Sequence, residues 1–387
     1  MLARRRILIR VAALSLCALA LVPAAHAGAP APLSNARYGF PLPGDYPAAA
    51  NAASAGLALS DRWLGESAYE NPAATVRRGL EVSPLFQRVS RQDLAAKNRD
   101  LVQTRGYPDL AGLSLSLPTK HWGVVLYAWQ PVLRLEQLGY SAGPLVSPAA
   151  IQQQALQREI RGGVALAHGV RGVRVGVAGE WVHRDDSYET HEQSGSPSAG
   201  DRVLKFTGDA WAGSAGVAWS KDPDRPWGNW VGAALHYGSQ LNVSGTTAYQ
   251  LTSGDSAGTF EATRAAEWSG GVSTRVTVAP ATRVVAGVSV RSGADWRGFD
   301  FGTSGGAAWG LGLDWKDSEL PWGARFGVGQ EANPGAVEKK TGLLSAGFTW
   351  VSGDLTIDIG LLHRNLAREG SPSSADDRAV ASVKLAF

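Results

Sequence analysis

His183, Asp185, Asp186, Glu189 and His191 crowd one stretch of this 387-residue chain, which carries seven histidines in all. Imidazoles beside carboxylates can collect a divalent ion. Their spacing here fits no standard ligand set, so a solvated acidic loop is the preferred reading. Ser345 and His363 are residue types that a serine hydrolase needs, but no third group is in place to orient the imidazole. Catalysis is therefore not expected, and neither a cofactor nor a resident metal is implied. Two other sets carry possible binding chemistry. The guanidinium groups of Arg275 and Arg283 could hold a carboxylate through paired hydrogen bonds. In Asn71-Pro72-Ala73, proline fixes φ and lacks a donor while asparagine bonds its own backbone, which makes a tight turn.

The elements that must position these residues announce themselves by a period of two. From about residue 77 onward the chain breaks into short alternating segments with one apolar face. Val173, Val175, Val177 and Trp181 share a face, as do Val284, Ala286, Val288 and Val290, then Trp309, Leu311, Leu313 and Trp315, then Leu355, Ile357, Ile359 and Leu361. The last segment repeats this with Ala379, Ala381, Val383, Leu385 and Phe387. The opposite faces are Gly, Ser, Ala, Thr and scattered charge, as expected of strands half in hydrocarbon. By the same parity Arg174, Glu180, Glu267, Arg275, Arg283, Arg291, Asp314, Arg325 and Asp358 point inward, where such groups mostly pair with one another.

The breaks predict an all-β fold, an antiparallel transmembrane barrel of about fourteen strands. Twelve or sixteen remain alternatives. Long polar links are expected at 134–158, 183–206 and 241–262, among others, and short turns such as Ser352-Gly353-Asp354 alternate with them. Outer-membrane barrels sort their connections in this way, with short periplasmic turns and long external loops. Within 134–158 the residues Leu135, Leu138, Tyr140 and Leu145 suggest an apolar capture loop, followed by a short helix from Pro148 through Ile160. Trp122, Trp181, Trp219, Trp230, Trp268, Trp309, Trp315, Trp322 and Trp350 sit at strand ends, where an indole suits the boundary between hydrocarbon and headgroups. Pro131 and Pro84 lie within strands and could each kink the wall.

Residues 1–27 have the pattern of a secretion signal: Arg4, Arg5 and Arg6, an apolar run, and a small-x-small site ending at Ala27. The single cysteine, Cys17, lies inside that run, so the mature chain would hold no thiol. Losing four arginines takes the formal charge from +3 to about −1, and nucleic acid is not an expected partner. With no apolar run of the length a spanning helix needs, a membrane crossing requires closed strands.

Residues 28–75 are rich in Ala, Pro and Gly and stand outside the strand pattern, and residues 76–387 form the barrel. A barrel this wide encloses a lumen that something must fill or leave open, and 28–75 could serve as a plug. The run Ala52-Ala53-Ser54-Ala55-Gly56-Leu57-Ala58-Leu59-Ser60-Asp61, followed by Ala68-Tyr69-Glu70-Asn71-Pro72-Ala73-Ala74, resembles the start of the FadL-type outer-membrane transporters of long-chain fatty acids and aromatic hydrocarbons. The run lacks the family's usual second glycine, and Arg62 to Glu66 space it differently. The resemblance implies a fourteen-stranded barrel with an N-terminal hatch bearing Asn71, Pro72 and Ala73, which passes hydrophobic small molecules inward. It also implies a monomer set among outer-membrane lipid and lipopolysaccharide, inserted by the barrel assembly machinery. A scaffolding barrel in an outer-membrane complex and a general porin are the alternatives.

Overall fold

The computed structural model describes residues 70–75, 80–95, 100–105, 109–118, 122–142, 149–170, 172–193, 200–220, 228–251, 254–298, 302–303, 305–317, 319–331, 341–366 and 373–386. The expected signal segment, its cleavage site at Ala27, most of the expected plug and Phe387 lie outside the described residues.

Fourteen antiparallel strands follow one another around a closed ring. They are β1 (Glu81–Ala95), β2 (Asp100–Arg105 and Asp109–Pro118), β3 (Trp122–Ala142), β4 (Ala149–Val170), β5 (Val173–Gln193), β6 (Gly200–Ser220) and β7 (Trp230–Gly238 and Leu241–Leu251). The ring continues with β8 (Gly254–Arg264 and Glu267–Ala279), β9 (Thr282–Arg291 and Ala294–Arg297), β10 (Gly302–Thr303 and Gly306–Lys316), β11 (Trp322–Glu331), β12 (Thr341–Ser352), β13 (Leu355–Leu366) and β14 (Ser373–Ala386). Closure is made by β14 on β1, in register from Glu81↔Ala386 to Leu94↔Ser373. Among the described residues each of the fourteen strands is paired on both sides, which is the condition for placing strands in lipid.

The apolar phase falls where alternation puts it. Val173, Val175, Val177 and Trp181 are exposed on the outside of β5, while Arg174 and Glu180 are buried inside. Trp122, Trp181, Trp211, Trp219, Trp309 and Trp322 are likewise exposed on the outer surface. They form two belts. Trp219 pairs with Val173 at the turn end of β5, and Trp211 pairs with Trp181 eight residues farther along. At a rise of ~3.3 Å per residue and a tilt of ~40°, the belts are ~20 Å apart, close to the height of a lipid-facing band. Trp230 departs from the expected girdle. It is 5% exposed and faces the lumen, because its parity on β7 matches that of Ala234 and not that of Leu235.

The expected links at 134–158, 183–206 and 241–262 are mostly strand. β3 and β4 stay paired from Val132↔Glu159 up to Ala142↔Ala149, so residues 149–160 are strand and not the expected helix, whose first residue, Pro148, lies outside the described residues. β5 and β6 pair up to Glu192↔Gly200, and β7 and β8 up to Leu251↔Gly254. Beyond the belts the outside is no longer hydrocarbon, so the strands can continue with polar outer faces and the alternation that reveals them in sequence disappears. On β6 the change is visible: Trp211 and Val217 are exposed outside nearer the turn, while farther up Leu204 and Phe206 are buried inside. Interruptions at 239–240, 265–266 and 292–293 shift the parity of β7, β8 and β9, turning Leu241, Val243, Ala262 and Trp296 inward above them. Serine hydroxyls help mend the ladder there, with Ser239 Oγ accepting from Trp211 N and Ser292 Oγ from Trp268 N. Both strand prolines stand beside register shifts, Pro131 between Trp129 and Val132, and Pro84 next to Leu85 and Phe86.

Candidate functional site in the lumen

Glu70 to Ala74 lies inside the barrel, buried against the inner faces of β4, β5 and β6. Asn71 Oδ1 accepts from Ala73 N at 3.0 Å, and Ala74 N donates to Asn71 O at 2.9 Å, so asparagine caps the short 3-10 turn Pro72–Thr75. Proline suits the first position of such a turn, where no backbone donor is needed. The same amide reaches the wall, Asn71 Nδ2 donating to Val217 O on β6 and Ala233 O on β7, both at 3.3 Å. Two glycines make room. A Cβ on Gly216 would stand 1.9 Å from Asn71 Oδ1, and one on Gly176 would stand 2.4 Å from Pro72 C. Sequence reasoning anticipated the turn; its seat was hidden, since glycine is common on every inward face.

Toward the loop end lies a buried charge network. Tyr127 Oη donates to Glu180 Oε1 at 2.8 Å, and Arg161 bridges Glu180 (3.3 Å) and Glu159 (2.7 Å). Arg184 grips Asp186 with two bonds of 2.9 and 2.7 Å and lies 3.4 Å from Glu159, while Tyr188 Oη donates to Asp186 at 3.0 Å. Such forked guanidinium pairs are the strong kind. Arg264 on β8 reaches Glu159 at 3.7 Å and Glu267 at 3.3 Å. Asp186 is therefore not part of a solvated loop: it is 0% exposed, because even-numbered residues of β5 face inward. Its sequence neighbours point out, His183 to Asp209 at 3.0 Å and His191 to Asp201. Among the described residues no group of three potential metal ligands converges.

Of the inward set named from parity, Glu180 and Glu267 belong to this network, while Arg174, Arg275, Arg283, Asp314, Arg325 and Asp358 are found at the turn end. Arg275 lies 3.5 Å from Asp314, Arg325 lies 3.9 Å from Asp314 and 3.1 Å from Asp358, and Thr349 Oγ1 donates to Asp358. Arg275 also donates to Gly228 O at 3.1 Å and stacks over Trp230. Arg283 donates to Ala281 O and Lys316 O, both at 3.3 Å, which ties it to the turns at its own end of the wall. Leu135, Leu138 and Tyr140 belong to the extended part of β3, and Leu145 lies outside the described residues. Ser345 and His363 are separated by the wall: Leu344 pairs with His363 and Ser345 with Leu362, so their parity sets them on opposite faces.

An apolar cluster absent from the sequence reading lines the inner faces of β5 to β9. Val182, Leu204, Phe206, Ala210, Leu241, Val243, Ala262 and Trp296 are all buried, with Tyr188, Ala212 and Phe260 packed against them. Phe206 is its centre, with Tyr188, Phe260 and Trp296 rings 6.0, 6.3 and 5.9 Å away. The only signal was a phase reversal, Leu204 and Phe206 taking the parity that is lumenal lower on β6.

Fold and site together define a closed fourteen-strand barrel of the transmembrane kind, with a chain segment seated in its lumen beside apolar and ionic clusters. No family model and no curated protein matches the sequence. Solved structures do match, and the chain has the fold of the FadL-family transporters. The Ralstonia pickettii toluene transporter TbuX is 13% identical, with a TM-score of 0.63 over 90% of this chain and 98% of its own. The Pseudomonas putida toluene transporter TodX is 12% identical, with a TM-score of 0.62 over 87% and 97%. A Pseudomonas aeruginosa FadL homologue is 12% identical, with a TM-score of 0.56 over 88% and 97%.

Proposed function

We propose that the protein is a passive channel of the bacterial outer membrane that takes up hydrophobic small molecules, fatty acids or aromatic hydrocarbons. The observation that carries this reading is the buried aromatic cluster around Phe206, which lines the lumen with hydrocarbon where a general porin would present water. The loop ends face outward, the termini lie in the periplasm, and residues 28–75 form a plug anchored by Asn71, Pro72 and Ala73. A solute is captured at the loop end, where Leu135, Leu138, Tyr140 and Leu145 contribute, and moves into the apolar cluster. It leaves when the Asn71 segment shifts, with Arg275 and Arg283 near the exit. Movement is downhill and uses neither nucleotide nor metal. The barrel acts as a monomer among lipid and lipopolysaccharide after insertion by the barrel assembly machinery. The fold shared with two toluene transporters supports the substrate class.

Purified protein in lipid vesicles should speed entry of toluene and of a long-chain fatty acid over protein-free vesicles. Gly216→Leu, which pushes a side chain into the Asn71 seat, should change that rate. Fast entry of a polar sugar with none of either hydrophobic solute would replace this reading with a porin, and no entry of any solute would favour a scaffold.

A further inference from the structure

Among the described residues, an ion pair links two parts of the inner wall that are not neighbours in the sheet. Three strands separate β4 from β8 around the ring, yet Arg264 Nη1 lies 3.7 Å from Glu159 Oε2. Each half of this contact keeps a counter-charge without the other. On the β4 and β5 side, Glu159 keeps Arg161 at 2.7 Å and Arg184 at 3.4 Å. On the β8 side, Arg264 keeps Glu267 at 3.3 Å. A buried ion pair usually resists separation because one charge would be left without a counter-charge. Here that obstacle is missing. The neighbouring contacts that also join β5 to β9 are ring and aliphatic packing, which can re-form around an apolar guest without losing a hydrogen bond.

The position matters as much as the energetics. Passing down β5 from the loop end, the inward residues are Tyr188 beside the apolar cluster, then Asp186 and Arg184 of the charge network, then Val182 of the cluster, Glu180 and finally Gly176, under Pro72. The ion pair stands at the lower margin of the aromatic cluster, with Arg264 opposite Trp296 and Glu159 opposite Arg184, on the side toward the Asn71 seat.

We propose that Arg264 and Glu159 form a gate built into the barrel wall. Opening parts β8 from β4, and a hydrophobic molecule moving from the aromatic cluster toward the Asn71 segment passes between them. Its closed state impedes ions, and it works independently of any movement of residues 28–75. The inference rests on the reading of the lumen as a passage and names the residues that control it.

The test uses the full mature chain in planar bilayers and in vesicles. Arg264→Met, which keeps bulk and loses charge, should raise basal ion conductance severalfold and speed toluene entry, while Arg264→Lys should stay near the parent in both. All three proteins should keep the same heat-modifiable band on a gel. Unchanged conductance in Arg264→Met, an equal rise in Arg264→Lys, or loss of the folded band in Arg264→Met would each overturn the proposal, the last by showing a structural clamp. A rise in conductance in a protein whose parent carries no toluene would uphold the gate and reject the hydrocarbon reading, so the two failures are distinct.

Discussion

The two buried charge networks of the lumen are wired differently. At the turn end, Arg275 on β8, Asp314 on β10, Arg325 on β11 and Asp358 on β13 follow the curve of the wall, and Asp314 and Arg325 each serve two partners. Toward the loop end, the pair from Arg264 to Glu159 joins β8 to β4 past the three strands between them, and both ends hold a second counter-charge on their own side. A chain of shared partners laces strands together, whereas a bridge between self-satisfied halves can come apart. The difference teaches where this barrel is rigid and where it can move.

Breaking the lacing should have the largest effect. Asp314→Asn withdraws the charge that both Arg275 and Arg325 face, and urea unfolding from lipid vesicles should show a loss of about 3–5 kcal/mol. If the variant unfolds like the parent, the lower network is not structural. Tyr127→Phe removes a buried hydroxyl bond to Glu180 and should cost about 1.5–3 kcal/mol in the same assay, because the acceptor is charged. Arg264→Gln sharpens the contrast, since Glu159 keeps Arg161 and Arg184 and Glu267 is partly exposed to water: a loss of about 1 kcal/mol or less is expected, and a loss as large as that of Asp314→Asn would erase the distinction between the networks. Asp209→Asn, at the exposed pair with His183, should change unfolding by about 0–1 kcal/mol and serves as the surface reference.

How far these networks could be read in advance depended on where they sit. Arg174, Glu180, Arg275, Asp314, Arg325 and Asp358 were assigned to the lumen because lipid on the outer face forces an unbroken apolar alternation through β5, β8, β10, β11 and β13. Glu159, Arg184, Asp186 and Arg264 escaped because they lie where the outer face is polar as well. There both parities carry polar residues, and a paired extension of two strands looks like a loop. Trp230 was misplaced for a related reason: an indole at a strand end fits either face, and only the parity of its neighbours decides. The expected helix from Pro148 to Ile160 failed because pairing across to β3 satisfies the backbone of that stretch with no need for a helix.

The amino-acid sequence by itself narrowed the strand number to about fourteen and marked the turn ends, most of the lipid-facing set and the Asn71-Pro72-Ala73 turn, since each follows from local geometry or from a period of two against a hydrocarbon solvent. Only the tertiary structure decided that Gly176 and Gly216 seat that turn, that Phe206 gathers aromatics from three other strands, and that Arg264 meets Glu159. These are relations between inner faces brought together by closure of the ring, and closure leaves no periodic trace along the chain.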